Sequence, residues 1–195
     1  MQFNVIPIDA IKAISQRNFA FHWQALHAKT GLPRFADFSP GERAHDPRKM
    51  LVWAIDEKDG ERCYRPLYGG AYLFEAFGPG ASAESIPEPL RGIFRSGLDA
   101  CVTSASMIYM SIATSDPEGH RVECERLLLP FGDGAAKVTH ILASLQVVSL
   151  EGTFDRHNIV EYFEKEVNVT LCGRILPASR SVLGPSERLG WSQSA

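Results

Sequence analysis

The sequence predicts an α+β fold: a five-stranded antiparallel sheet with helices on one face, an N-terminal helix before it and a C-terminal extension after it. Three observations lead there. Strand-like runs are joined by tight-turn signals at Asp59-Gly60, Asp116-Pro117-Glu118-Gly119 and Asp133-Gly134, and short turns make neighbouring strands antiparallel. Leu90, Ile93, Phe94, Gly97 and Cys101 share one face of a helix. That helix falls between the second and third strands, so it covers one side of the sheet.

The elements follow in order. A first helix is expected after Asp9, an N-cap residue type, with Ile11, Ile14, Phe19, Trp23 and Leu26 as its apolar positions and Gly31 and Pro33 as its stop. Residues 41–48 are polar and read as a loop. Residues 50–56 and 61–68 read as a hairpin, with Pro66 marking an edge or a bulge because it donates nothing to a ladder. Tyr72 to Phe77 suit one or two helical turns, and the Leu90–Cys101 helix follows. Residues 106–114, 121–130 and 138–150 are the last three strands. In the extension, 155–166 suits an amphipathic helix carrying Ile159, Val160 and Phe163. Alternation at Val167, Val169 and Leu171 suits a strand. The resulting organisation is 1–48 helix and entry loop, 49–150 core, 151–178 extension and 179–195 disordered tail.

Composition narrows the function classes. The chain has 195 residues, 45% of them hydrophobic, with 22% charged and a formal net charge of -3. That supports one core and excludes wholesale disorder. It also speaks against a general nucleic-acid binder or membrane-surface binder, either of which carries a basic excess. No apolar run approaches the roughly 20 residues of a spanning helix, and the N-terminus lacks the pattern of a secretory signal. Cys63, Cys101, Cys124 and Cys172 form no Cys-x-x-Cys pair; four reduced thiols in a cytoplasmic protein are expected. Nucleophile-elbow, P-loop, His-Glu-x-x-His and dinucleotide-binding motifs are missing, so a non-enzyme is expected. Of six histidines, only His22 and His27 are close, and an i, i+5 pair points two ways. No metal cluster is expected, and the cofactor is left unknown: His140 on the final strand could face a pocket, against the commoner reading of an ordinary hydrogen-bonded histidine.

Four segments carry a family likeness. They are Phe21-His22-Trp23-Gln24-Ala25-Leu26 with Leu32-Pro33-Arg34-Phe35-Ala36-Asp37-Phe38-Ser39-Pro40; Tyr64-Arg65-Pro66-Leu67-Tyr68-Gly69-Gly70; Leu73-Phe74-Glu75-Ala76-Phe77-Gly78; and Glu125-Arg126-Leu127-Leu128-Leu129-Pro130-Phe131. In this order, over residues 20–150, the chain resembles the single-domain PAS family of alphaproteobacteria, the PAS_5 type. It departs from that pattern in the charged 41–48 loop, in Pro66, and in Gly70-Ala71 where the family has a threonine after the glycine. The resemblance implies a PAS-like sheet with a pocket under its helices, and a homodimer formed through the N-terminal helix. It also implies a sensory or regulatory role in which a small molecule binds and the signal passes by protein–protein contact. A ligand-free scaffold for dimerisation is the alternative.

Candidate pocket residues are Trp53, Tyr64, Tyr72, Phe77, Phe94 and Tyr109 as walls, with Arg65 and Arg126 as anchors for an anionic head group. Alternation places Val122, Cys124, Arg126 and Leu128 on one face of their strand. The competing reading pairs Arg65 and Arg126 with Asp56, Glu123 or Glu125. Phe19, Phe21 and Trp23 are the candidate partner-facing residues, with Phe21 directed away from Trp23. Cys124 stands between two glutamates, which disfavour its thiolate.

Overall fold

The computed structural model describes residues 1–38, 46–72, 88–116, 118–134, 137–149, 151–152 and 167–177. The expected amphipathic helix at 155–166, the tail from 179 and Phe77 lie outside them. The described elements in chain order are β1 (Asn4–Val5), α1 (Ile14–Thr30), β2 (Met50–Lys58), β3 (Glu61–Gly69), α2 (Glu88–Ser104), β4 (Met107–Ser115), β5 (Arg121–Phe131), β6 (His140–Ser149) and β7 (Asn168–Ile175).

The fold is α+β, but the sheet has seven strands rather than five, in the order β1-β7-β4-β5-β6-β2-β3. Five strands form a continuous antiparallel unit, β3-β2-β6-β5-β4. Strand β7 then adds antiparallel to β4, and β1 adds parallel to β7. The C-terminal strand is therefore part of the sheet and not a separate extension. Its apolar Leu171 and Ile175 pack into the same layer as α1.

The two described helices lie on opposite faces of the sheet: α2, between the second and third strands of the five-stranded unit, covers one face as expected, and the N-terminal α1 covers the other. Ile11, Phe19, Ala20 and Trp23 pack on Met50, Val52, Met107, Tyr109, Leu127, Leu129, Phe131, Leu142 and Ile175. On the other face, Leu98 and Cys101 of α2 pack on Ile108, Met110, Leu128, Ile141 and Ala143. Each central strand thus splits its side chains between two cores, as a period of two demands. Gly97 lets α2 approach closely: a Cβ there would lie 2.8 Å from Met110 Sδ.

Helix α1 starts at Ile14, later than the Asp9 expectation. Ile8–Ala10 forms a 3-10 turn, and Ala13, with ψ 124°, is still extended. The reason is tertiary. Ile11 is fully buried, and the Ala13 N–H is used by Glu125 Oε2 at 3.1 Å, so residues 11–13 lie on the sheet instead of coiling. Gly31, at φ 78°, ends the helix with its N–H on His27 O at 2.9 Å.

The turns follow their signals. Asp59 and Gly60 both have positive φ, 55° and 81°, the geometry a two-residue hairpin turn requires. Pro66 sits on β3, at the outer edge of the sheet, and faces the register shift at Val52/Trp53. The β4–β5 turn is closed by Gly119 N–H on Asp116 O at 3.0 Å. No helix among the described residues is long and apolar enough to cross a membrane.

Candidate functional site

Strand β5 carries the charged groups that matter most. Its alternation directs Cys124, Arg126 and Leu128 toward α2, and Glu123, Glu125 and Leu127 toward α1. The arginine and the glutamates are therefore divided by the sheet, and the ion pair that the sequence left open between them does not form.

Arg126 is 3% exposed. Its Nη1 donates to Phe94 O at 3.3 Å. Its guanidinium carbon lies 4.6 Å from the Phe94 ring centroid and 5.4 Å from that of Trp53. Opposite Arg126 stand Met110 on β4 and Leu145 on β6. Between Arg126 and Trp53, strand β6 offers the same face Ala143, a side chain small enough for arginine and indole to meet across it. Arg126 pairs with no carboxylate among the described residues. Burial pushes its pKa down to about 10, so it remains a cation at neutral pH. A guanidinium has five N–H donors, and one hydrogen bond to a described residue accounts for one of them.

Tyr64, also on the α2 side, belongs to a neighbouring network. Its hydroxyl donates to Asp99 Oδ1, which also faces Arg62 Nη1 at 3.5 Å. Arg95 bonds Asp99 Oδ2 at 3.1 Å and lies 4.8 Å from the Tyr64 ring. This network ties β3 to α2 beside Trp53 and Arg126. Desolvation first, then the Asp99 hydrogen bond, raises the Tyr64 pKa.

The remaining candidates lie elsewhere. Arg65 is exposed and bonds Asp56 Oδ2 at 2.7 Å, the pairing its sequence position left open. Tyr72 is buried, with the Lys49 ammonium 5.3 Å from its ring centroid. Tyr109 is fully buried on the opposite face, its hydroxyl accepting from Lys12 N–H at 3.3 Å. Phe19 and Trp23, expected on a partner-facing stripe, are core residues at 2% and 0% exposure. Trp23 is fixed there by its indole N–H, which donates to Pro130 O at 2.7 Å. Phe21, the third of that set, is 53% exposed.

A second polar group lies beneath the start of α1 and escaped the sequence reading. Glu123 and Glu125 are both buried on the α1 face. Lys12 Nζ pairs with Glu123. Gln16, fully buried, donates through Nε2 to Glu125 O at 3.3 Å and Ser144 O at 2.9 Å. Burial is the leading cause raising the Glu125 pKa above the usual carboxylate range, against the lowering effect of the Tyr109 and Ala13 hydrogen bonds.

Cys124 is buried, and burial first of all pushes its thiol up to about 12. Desolvation is the leading cause, the Arg126 charge opposes it, and Glu125 adds a smaller push in the direction the sequence suggested. Asp116, Glu118 and His120 bring ligand-type atoms within 4.8 Å of one another, a grouping that the histidine spacings did not suggest. Asp116 Oδ1 there accepts the N–H groups of Glu118 and His120 at 2.9 and 2.8 Å, and Oδ2 lies 3.1 Å from His120 Nδ1. These bonds account for the grouping as turn structure. Two surface hollows lie among the described residues. One of about 500 Å³ lies between the β2–β3 hairpin and the end of α2. The other, an apolar groove of about 380 Å³, is lined by Phe35, Phe38, Met50, Leu67 and Leu142 among others.

The chain matches no protein-family model, no curated protein and no solved structure.

Proposed function

We propose that the chain is a PAS-like sensory or regulatory domain that binds a small molecule on the α2 face of its sheet and signals through protein contact. The observation that carries this reading is Arg126, a buried cation set between the Trp53 and Phe94 rings with no carboxylate partner among the described residues. An uncompensated buried charge costs several kcal/mol, and a ligand able to meet it repays that cost. The element order supports the PAS-like part: two strands, a helix on one face, then three strands, all antiparallel.

Signalling follows from what packs on the sheet. Helix α1 lies on the face opposite Arg126, and β7 with β1 extends its β4 side. A ligand that prefers one packing of these elements shifts their balance by its differential affinity. Ile14 at 69% and Phe21 at 53% exposure stand seven positions apart on α1, hence on one side of it; this exposed stripe supports a homodimer or protein partner. Native mass spectrometry of the purified full chain tests the reading: a co-purifying small molecule is expected. A bare mass, together with no thermal shift from a metabolite library, favours the ligand-free scaffold and overturns the sensor.

A further inference from the structure

We propose that Arg126 anchors a small monocarboxylate with an apolar body, seated against the Trp53 and Phe94 rings on the α2 face. This rests on the reading that the α2 face holds a small molecule, and it names the class.

The charge balance sets the head group. Among the described residues, the titratable groups that act on Arg126 are the thiols of Cys101 and Cys124, and burial raises both, so both are neutral at physiological pH. One fixed positive charge is therefore to be matched, with no second cation beside it among the described residues. A monoanion neutralises it; a phosphate dianion leaves a net negative charge in a poorly solvated layer, which is unfavourable. A planar carboxylate also fits the guanidinium fork, taking two parallel N–H bonds, and Arg126 spends one N–H on Phe94 O.

The surroundings set the body. Around the guanidinium the α2 face presents Trp53, Phe94, Met110, Leu128 and Leu145, side chains that reward apolar contact and offer little to a sugar or a polyol. Asp99, an acid that binds arginines on this side, is already engaged by Tyr64, Arg62 and Arg95. It does not compete for Arg126.

The experiment uses the full chain freed of any co-purifying molecule, with Trp fluorescence and thermal shift as readouts. The probes are benzoate, phenylacetate and indole-3-acetate, their uncharged amides, and phenyl phosphate. Carboxylates are expected to bind at least about tenfold more tightly than the matching amides and than phenyl phosphate, the discrimination of a charge-assisted pair. Arg126→Met is expected to weaken carboxylate binding at least about tenfold while leaving amide binding unchanged. Equal affinity for acid and amide, or carboxylate binding unaltered in Arg126→Met, overturns the proposal. The acid–amide comparison on the native chain holds even if the variant fails to fold. A neutral molecule seen by native mass spectrometry overturns the monocarboxylate and leaves the sensor standing. Binding of none of the probes up to millimolar concentration also overturns the monocarboxylate.

Discussion

Glu125 and Arg126 are joined by one peptide bond, yet their charges never meet, because β5 sends one to each face of the sheet. Glu125 takes the Ala13 N–H and sits beneath α1. Arg126 enters the layer under α2 with two aromatic rings for company. A single strand thus carries a buried acid and a buried base, each governed by the helix above it.

If Arg126 is retained for a ligand, the empty protein does not need it. Arg126→Met keeps the length of the stem and removes the buried charge. An unpaired buried charge carries a desolvation cost of several kcal/mol that an apolar side chain does not. Urea unfolding of the ligand-free variant is expected to show stability equal to or above that of the native chain. A loss above about 2 kcal/mol would identify Arg126 as a structural residue.

Glu125 predicts a pH dependence of known sign. Its pKa is raised in the folded chain, so the fold binds its proton more tightly than the unfolded chain does. Its contribution is fully present below the ordinary carboxylate pKa and is lost as pH rises through the raised value. Glu125→Gln keeps an acceptor for Ala13 N–H and does not titrate. Stability curves between pH 4 and 8 are expected to converge at the acid end, with the variant losing less stability as pH rises. Parallel curves would count against the assignment.

Trp23→Phe removes the indole N–H and leaves Pro130 O without it inside the core. The expected loss is about 1–3 kcal/mol by urea unfolding. A change below about 0.5 kcal/mol would show the bond to be incidental.

Phe21→Asp separates folding from association. Phe21 is exposed, so stability is expected to change by no more than about 0.5 kcal/mol. If α1 forms a homodimer, light scattering is expected to show the native chain as a dimer and the variant as a monomer. An equal mass for both would remove Phe21 from the interface.

Much of this architecture is legible in the chain, where local chemistry decides. Asp59-Gly60, Gly31 and Pro66 each act through their own backbone geometry, and the turn, the helix end and the edge strand stand where those residues require. The packing face of α1 is less legible. The helix buries polar Gln16 and exposes Ile14 and Phe21, because its partner surface presents backbone carbonyls and carboxylates as well as apolar groups. The apolar spacing of Phe19 and Trp23 suits a partner face as well as a core, and only tertiary contact decides. Arg126 is legible as a strand residue facing with Cys124 and Leu128. Its isolation from Glu123 and Glu125 follows from the same alternation, whereas its aromatic neighbours come from elements distant in sequence. Strand β7 alternates visibly, but nothing local says that it joins β4.

Gly173 has room for no side chain, because a Cβ there would lie 2.6 Å from Ile6. Ile6 also donates its N–H to Arg174 O at 3.0 Å. The first residues of the chain thereby act as a guard on the open side of β7. At the opposite end of the sheet, Pro66 blunts β3 by having no N–H to offer. The two flanks are protected by different means, one covalent in β3 and one borrowed from the N-terminus. Trimming residues 1–6 unmasks β7 as a template for strand addition by another chain, so the N-terminal arm guards against aggregation as well as leading into α1.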